Sequence, residues 1–321
     1  MPELPDIECY LACLRPRIVG QVLTRIRVPG PFIVRSVDPP FDVIESHTVA
    51  GLHRLGKRIV VEFAAEGQPL FAVIHLMIAG RFQWFDDPAA KGPVRITQAT
   101  FHFPNGTLAL TEAGTKHRAA LHIVRSEDAL AAHDPGGMEL MDPGVTAVRF
   151  AAAIGAENRT LKRRLADPHL FAGIGNAYSD EILHAAKLSP VMLSQKLTDA
   201  QCAALLDAIR SVFAKFTKLL IDRFAKKFPG AGDITAFRPE FAAHGKYGKP
   251  CPVCGTAIQR IVHAENETNY CPRCQTGGKL LADRSLSRLL KSDWPKTIEE
   301  WEQDGPGEPS MMRRPKAKGD P

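Results

Sequence analysis

The chain has no apolar run long enough to cross a membrane. Its most hydrophobic stretch, PLFAVIHLMIAG at residues 69–80, contains a histidine and falls far short of the ~20 residues that a transmembrane helix needs. Charged residues interrupt the first thirty positions, so no secretory signal is visible. These absences predict a cytoplasmic protein without a membrane partner.

The sequence also lacks a large excess of either charge. It has 41 Lys and Arg against 35 Asp and Glu, a formal net charge of +6. Any contact with nucleic acid must therefore come from local clusters of basic residues rather than from the charge of the whole chain. We find no internal repeat, and 321 residues are enough for two or three domains with a sizeable core.

Cysteines are few and odd in number, seven in all, which disfavours a disulfide framework. Four of them form two CxxC pairs separated by sixteen residues: Cys251, Cys254, Cys271 and Cys274. This spacing is typical of one structural Zn²⁺ held by four thiolates on a β-hairpin, and it favours zinc over two separate redox motifs. The other three, Cys9, Cys13 and Cys202, lie at apolar positions of predicted helices and are interpreted as core residues.

The first part of the chain reads as β-structure after a helix at about residues 5–19. Runs rich in β-branched and aromatic residues predict strands, and they lie at residues 23–28, 58–63, 70–76 and 96–103. Asn105-Gly106 predicts the turn of a hairpin between two of these strands. The turn-forming residues 133–144 mark a domain boundary.

The pattern then becomes helical. Residues 198–223 predict the clearest helix, opened by a capping box of Thr198 and Gln201. A loop at residues 226–233 leads to the cysteine segment. Composition predicts disorder from about residue 305. Just before it, a short helix is expected to pack on the body through apolar residues, namely Leu286, Leu289, Leu290, Trp294 and Trp301.

The opening MPELPDIE allows two interpretations. Pro2 fixes φ and has no backbone N–H, so it can be a stiff lead-in to a helix. If Met1 is removed, however, Pro2 becomes a secondary amine beside Glu3, a pair able to attack a carbonyl-like carbon and to move protons.

Three separated segments together resemble the bacterial formamidopyrimidine-DNA glycosylase/endonuclease VIII family: MPELPDIE, DPHLFAGIGNAYSDEIL and the four-cysteine hairpin. The resemblance covers roughly residues 1–280 and implies an α+β protein of two lobes. A β-sandwich with a flanking helix is expected at 1–135 and a linker at 136–148. A helix–two-turns–helix domain should follow at 149–235, a zinc-finger hairpin at 245–280 and an extension at 281–321.

The resemblance also implies a function in base excision repair. The family members are bifunctional glycosylase/abasic-site lyases, and the expected partner is double-stranded DNA with a damaged base or an abasic site. A monomer associated with the nucleoid is implied. Pro2 matches the nucleophile that forms a Schiff base before β- or β,δ-elimination, and Glu3 matches the acid/base residue. Lys57, at the start of a predicted strand, matches the lysine that reaches the DNA backbone.

Two further positions match phosphate-binding residues of the family. Lys162 is one, and Arg163 and Arg164 beside it add charge, although solvated arginines on a helix face are the plainer interpretation. Asn176 is the other. It opens a helix after two glycines, where free N–H groups are expected to bind a phosphate.

The sequence departs from the family pattern at several positions. Asn266 stands where the hairpin usually carries an arginine, and Arg260 is a candidate substitute. Ile78 stands at the position of the methionine that wedges into the duplex, with Met77 adjacent. The Arg-x-Phe element of the oxidised-purine enzymes is missing near residues 116–118, and Asp6 replaces a glutamate. The lesion therefore stays open between an oxidised purine, an oxidised pyrimidine, a bulky adduct and a bare abasic site.

Two other classes compete with the enzyme. A damaged-DNA-binding protein without turnover would explain the altered hairpin and wedge, whereas the retained Pro2, Glu3 and Lys57 disfavour it. A tautomerase with an N-terminal proline has no use for a zinc hairpin or a phosphate-binding helical turn.

Overall fold

The computed structural model describes residues 1–114, 116–263, 266–281 and 296–303. The N-terminal lobe is a sandwich of two four-stranded antiparallel sheets, ordered β1-β6-β7-β5 and β2-β3-β4-β8. The strands are β1 (Arg25–Arg27), β2 (Thr48–Leu55), β3 (Arg58–Ala64), β4 (Leu70–His75), β5 (Gly80–Phe85), β6 (Thr97–Phe103), β7 (Gly106–Glu112) and β8 (Ala120–Arg125).

Helix α1 (Leu4–Ile18) flanks the sandwich and carries the catalytic candidates at its start. Glu3 is its N-cap residue, and Glu3 and Asp6 form a capping box, which satisfies amides at the helix start that have no partner within the helix. Its apolar face, including Ile7, Leu14 and the two predicted core cysteines of this helix, is buried against the sheets. This packing fixes the position of the chain start.

The C-terminal lobe is helical. The short helix α2 (Glu127–Ala131) still packs on β8 of the N-terminal lobe. The elements of the C-terminal lobe are α3 (Ala147–Gly155), α4 (Leu161–Leu165), α5 (Asn176–Ala185) and α6 (Asp199–Phe224). Helix α6 begins at the predicted capping box, in which the Thr198 side chain accepts from the Gln201 N–H. It packs on both α1 and α5, so it joins the cores of the two lobes.

A two-stranded hairpin follows, built from β9 (Gln259–His263) and β10 (Asn266–Tyr270), with α7 (Pro272–Thr276) after it. Helix α8 (Ile298–Gln303) belongs to the C-terminal extension, and residue 297 pairs with Lys279. Ile298 is fully buried, so this part of the extension packs on the body. The predicted contacts of Leu286, Leu289, Leu290 and Trp294, and the predicted disorder from 305, lie outside the described residues.

The predicted two-lobe α+β class is confirmed. The predicted hairpin is present, but its turn is one residue earlier than expected: Pro104 and Asn105 form the loop, and Gly106 already pairs with Phe103. A Cβ at Gly106 would lie 2.4 Å from the Trp84 ring, so the glycine is needed for this close approach. No described helix is long and apolar enough to span a membrane.

Candidate catalytic site and nucleic-acid interface

A cleft of about 840 Å³ opens where the two lobes and the hairpin meet. It brings together residues that are far apart in the sequence. Met1 and Lys57 line it from the N-terminal lobe, Lys162 and Asn176 from the helical lobe, and Asn266 from the hairpin. Four of the residues singled out from the sequence therefore share one surface.

Glu3 lies beside this cleft and binds the start of α5. Its carboxylate accepts the N–H groups of Gly175, Ala177 and Tyr178 at 2.5, 2.9 and 3.2 Å. A Cβ at Gly175 would lie 2.6 Å from the Glu3 carboxyl carbon, so the glycine permits the approach. The sequence predicted free amides for a phosphate at this helix start, and that prediction was wrong for these three, because Glu3 occupies them.

Burial shifts the ionisation of the groups around Glu3. It raises the pKa of the Glu3 carboxyl, and the charge of Lys57 opposes that rise. Burial lowers the pKa of the Lys57 ammonium and of the terminal ammonium, which belongs to Met1 in this structure. Pro2, which lies between Met1 and Glu3 in the chain, is buried. Each shift runs towards the uncharged form of its group, and acid-assisted nucleophilic attack needs an uncharged acid and an uncharged amine.

Lys57 was expected to be the first residue of a strand, and it lies one residue before that strand begins. It follows Gly56 in the turn between β2 and β3, and β3 begins at Arg58. A second cavity of about 290 Å³ extends from Met1 and Lys57 to His75, whose buried Nε2 has no hydrogen-bond partner among the described residues. The turn therefore places the lysine between two open volumes.

Asp6 has a structural role that the sequence did not indicate. Its carboxylate accepts the Glu3 N–H at 2.8 Å and forms an ion pair with Arg238. Arg238 lies in the loop after α6, and both side chains are almost completely buried. This ion pair joins the N-terminus to the loop at residues 233–245, across 232 residues of sequence.

Lys162 binds α5 within the helical lobe, and Asn176 joins α5 to the hairpin. The Lys162 ammonium donates to the Asn176 carbonyl and to Asp180, each at 2.6 Å. The Asn176 side chain donates to the Glu267 carbonyl of β10 at 3.1 Å. Arg163 lines the cleft. Arg164 does not. It is buried and donates to carbonyls at the end of α3, so neither interpretation of it from the sequence was right.

The two hairpin candidates lie on different faces. Asn266 lines the cleft with Ile261 and Thr268. Arg260 and Ile261 are consecutive on β9, so their side chains lie on opposite faces of the hairpin. The Arg260 guanidinium lies 3.3 Å from Glu267 and 4.2 Å from the Tyr247 ring centroid. Arg260 is therefore not brought to the cleft, and the hairpin presents no arginine there among the described residues.

Ile78 and Met77 lie in the turn between β4 and β5. The Ile78 side chain is 53% exposed, whereas Met77 is half-buried and has a φ of 51°. The Arg81 guanidinium donates to the Ile78 carbonyl at 3.1 Å and to the Ile234 carbonyl at 2.6 Å. Ile78 is thus the apolar side chain that this turn presents to solvent.

The four cysteine sulfurs of the two CxxC pairs lie within 4.8 Å of one another. The Cys251–Cys274 and Cys254–Cys271 sulfur distances are 3.9 and 3.4 Å. Tetrahedral zinc with sulfur bonds of ~2.3 Å places its ligands about 3.8 Å apart. The cluster therefore fits a closed zinc site that leaves no position for a substrate.

A histidine contacts this cluster, and the sequence interpretation missed it. His184, at the end of α5, has its Nε2 at 3.2 Å from the Cys251 sulfur and is buried. A buried tetrathiolate zinc carries a net negative charge, so an N–H donor to one sulfur stabilises it. The signal in the sequence was the unusual polar content of a short buried helix, with Asp180, Glu181 and His184 all on α5.

We expect His184→Ala to release zinc faster, with an affinity ~10–100-fold lower, because the Cys251 thiolate loses a hydrogen bond. Transfer of zinc to a chromophoric chelator measures this. His184→Gln keeps a hydrogen-bond donor, so its rate of zinc release should lie between those of the wild type and His184→Ala. His169→Ala is the matched control, because His169 is exposed and its Nδ1 lies 3.0 Å from the Pro135 carbonyl. Equal release rates in all four proteins would refute the role.

The comparisons with known proteins agree with this geometry. Three family models match the chain: the formamidopyrimidine-DNA glycosylase N-terminal domain at 1–116, its H2TH domain at 137–219, and a zinc finger found in FPG and IleRS at 248–277. The formamidopyrimidine-DNA glycosylase of Thermus thermophilus is 30% identical over 286 residues, covering 87% of this chain and 100% of its own.

Two solved structures are similar over most of the chain. A mutant of the Lactococcus lactis FPG in complex with DNA containing Fapy-dG has a TM-score of 0.74 and 26% identity, covering 86% of this chain and 100% of its own. The Lactococcus lactis Fpg with DNA containing an abasic site has a TM-score of 0.75 and 25% identity, covering 85% and 99%.

Proposed function

The chain belongs to the formamidopyrimidine-DNA glycosylase/endonuclease VIII family, and from that premise we propose that it is a bifunctional DNA glycosylase/abasic-site lyase of base excision repair. It excises an oxidised base from double-stranded DNA and then nicks the strand. The observation that carries the proposal is the buried Glu3 carboxyl, held next to Pro2 at a basic cleft by the amides of Gly175, Ala177 and Tyr178 at the start of α5.

The reaction begins after Met1 is removed, which frees the Pro2 nitrogen. This nitrogen attacks C1′ of the damaged nucleotide, and the glycosidic bond breaks with its electron pair passing to the base. The base takes up the proton that the Pro2 nitrogen loses once its bond to C1′ has formed. Glu3 gives its proton to the sugar ring oxygen, and the ring opens to an iminium between Pro2 and C1′. The cation acidifies C2′, and loss of that proton expels the 3′ phosphate by β-elimination. A second elimination can remove the 5′ phosphate.

The other residues bind and position the DNA. Lys57 and Arg163 supply positive charge to the cleft for the phosphates. Ile78 is the wedge that enters the space left by the everted base, because it is the exposed apolar residue of its turn. One structural Zn²⁺ keeps the hairpin folded, and the protein acts as a monomer.

Borohydride trapping on a duplex with one abasic site tests this function. Borohydride reduces an iminium to a stable amine, so attack by Pro2 leaves a covalent adduct that peptide mapping assigns to residue 2. Pro2→Gly keeps a terminal amine but loses the secondary one, so it should trap less. Glu3→Gln keeps the Pro2 amine, so it should still be trapped on a preformed abasic site. Its control is Glu66→Gln, because Glu66 is an exposed carboxyl on the β3–β4 turn.

The absence of an adduct would reject the enzyme, provided that mass spectrometry shows Met1 to be absent and that DNA binding is intact. The protein would then be a damage-binding member of the family that lacks turnover.

A further inference from the structure

Arg81, the second residue of β5, connects the turn that carries Ile78 to a buried part of the core. Its guanidinium donates to the Gly80 and Ile78 carbonyls at 2.7 and 3.1 Å and to the Ile234 carbonyl at 2.6 Å. We propose that Arg81 is a positioning residue for base eversion, because it holds the Ile78 turn in the form that enters the duplex. The assignment rests on the proposed function and adds a residue that acts through Ile78.

The turn between β4 and β5 is tightly bent and strained. The Gly80 N–H donates to the Leu76 carbonyl at 2.9 Å. A Cβ at Gly80 would lie 2.2 Å from that oxygen, so the bend requires glycine. Met77 has a φ of 51°, a left-handed conformation that a residue with a Cβ keeps only when its surroundings impose it. The turn must therefore be held from outside, and Arg81 supplies such a contact.

The Arg81 side chain is fixed at both of its ends. At its backbone, Arg81 pairs with Thr111 of β7. The next residue, Phe82, is fully buried, and its N–H donates to the Tyr10 hydroxyl at 3.3 Å. At the guanidinium, the acceptor residue Ile234 is 1% exposed and packs in the same core cluster as Phe82. The exposed turn is thus held against two buried parts of the molecule.

The shape of a guanidinium suits this role. The planar group directs Nε and Nη1 of Arg81 towards different carbonyls at the same time, whereas a lysine ammonium has no such fixed directions. Hydrogen bonds from a charged donor are also stronger than those between neutral groups. We therefore expect the geometry of the side chain to matter in addition to its charge, and Arg81→Lys separates the two.

A wedge that is already held in place lowers the cost of eversion. Taking a base out of an intact stack costs free energy, and an apolar side chain that fills the gap recovers part of it. A wedge that must first be ordered recovers less, because ordering a flexible segment costs entropy. An abasic site has no base to evert. Arg81 should therefore affect base excision and leave the cleavage of a preformed abasic site unchanged.

Single-turnover excision by the full-length protein tests this expectation. The substrate is a fully paired duplex with 8-oxoguanine or 5-hydroxycytosine, whichever the wild type excises faster. Arg81→Met should be roughly 10-fold slower, since hydrogen bonds from a charged group are lost, and should cleave a preformed abasic site at the wild-type rate. Arg81→Lys should recover only part of the loss. Arg27→Met is the matched control, because Arg27 is exposed on β1 at the opposite edge of the same sheet.

A double variant shows whether Arg81 acts through the wedge. Ile78→Ala should also slow excision, and Arg81→Met/Ile78→Ala should be no slower than Ile78→Ala alone, because residues that act through one contact are not additive. Losses that multiply, an unchanged rate in Arg81→Met, or equal slowing on the abasic site would overturn the assignment. Full activity of Arg81→Lys would also overturn it, because charge alone would then be enough.

The proposed function can fail separately from this assignment. If the wild type forms no borohydride adduct, the proposed function fails, and the fluorescence rise of a 2-aminopurine beside the lesion measures eversion instead of excision. This rise should be slower in Arg81→Met than in the wild type and in Arg27→Met. Equal rates, or no rise in any of the three proteins, refute the role of Arg81.

Discussion

Glu3→Gln is expected to slow base excision by about 10²–10⁴-fold, the usual contribution of a positioned general acid or base. The glutamine has a similar shape but no acidic proton to give to the sugar ring oxygen. Pro2 keeps its amine, so a preformed abasic site, whose sugar is already open for part of the time, should still be trapped. The measurement is single-turnover excision of 8-oxoguanine beside trapping on an abasic duplex.

The dependence of the excision rate on pH is a second test of Glu3. Excision needs Glu3 protonated, so the rate falls as pH rises through the pKa of this carboxyl, which burial raises. It also needs the Pro2 amine neutral, so the rate rises with pH as that ammonium loses its proton. The two limbs give a bell-shaped profile. Glu3→Gln should lose the limb at which the rate falls with pH. A full bell in that variant would contradict the assignment.

Asp6→Leu is expected to destabilise the fold by about 3–5 kcal/mol, because it leaves the Arg238 guanidinium buried without its partner. Arg238→Met should cost a similar amount for the converse reason. The double variant Asp6→Leu/Arg238→Met should recover much of the loss, since a buried ion pair is often replaceable by apolar side chains. Urea unfolding of the three variants measures these free energies.

An exposed ion pair serves as the control for this cycle. Lys218 and Asp222 are four residues apart on α6, and their side chains are 77% and 60% exposed. Asp222→Asn should change the free energy of unfolding by no more than about 0.5 kcal/mol. If Asp6→Leu were as mild as this control, the Asp6–Arg238 pair would not be what holds the 233–245 loop to the N-terminus.

The sequence predicted the helices and strands whose caps or apolar patterns are formed by neighbouring residues. The predicted helix at 5–19 corresponds to α1, and the capping box at Thr198 marks the start of α6, because a cap and an apolar face are properties of neighbouring residues. Strands β3, β4 and β6 were found for the same reason. Strands β2, β5 and β8 were not recognised. Gly51 and Arg54 interrupt the apolar pattern of β2, whereas β5 and β8 are only six residues long and their positions depend on pairing with other strands.

The site was predictable only as a set of residue types. Three motifs identified Pro2, Glu3 and the cysteines, but no local pattern could show that Glu3 binds α5 from 172 residues away. Two other contacts also join distant parts of the chain. The Asp6–Arg238 pair joins α1 to the 233–245 loop, and the His184–Cys251 contact joins α5 to the first CxxC pair. Such partners are set by tertiary packing. The same limit explains the error on Arg260. It was the candidate substitute for the arginine that is missing at position 266, but it lies on the other face of the hairpin.

Helix α5 connects the start of the chain to the hairpin through contacts at its two ends. The Glu3 carboxyl lies at the start of the chain, whereas the amides that hold it lie in the middle. The far end of the same helix contacts the four-cysteine cluster through His184. Neither lobe therefore contains an active centre of its own. Recombination or exchange of one lobe with that of a relative would have to preserve the fit between Glu3 and Gly175, so the two halves are expected to be inherited together.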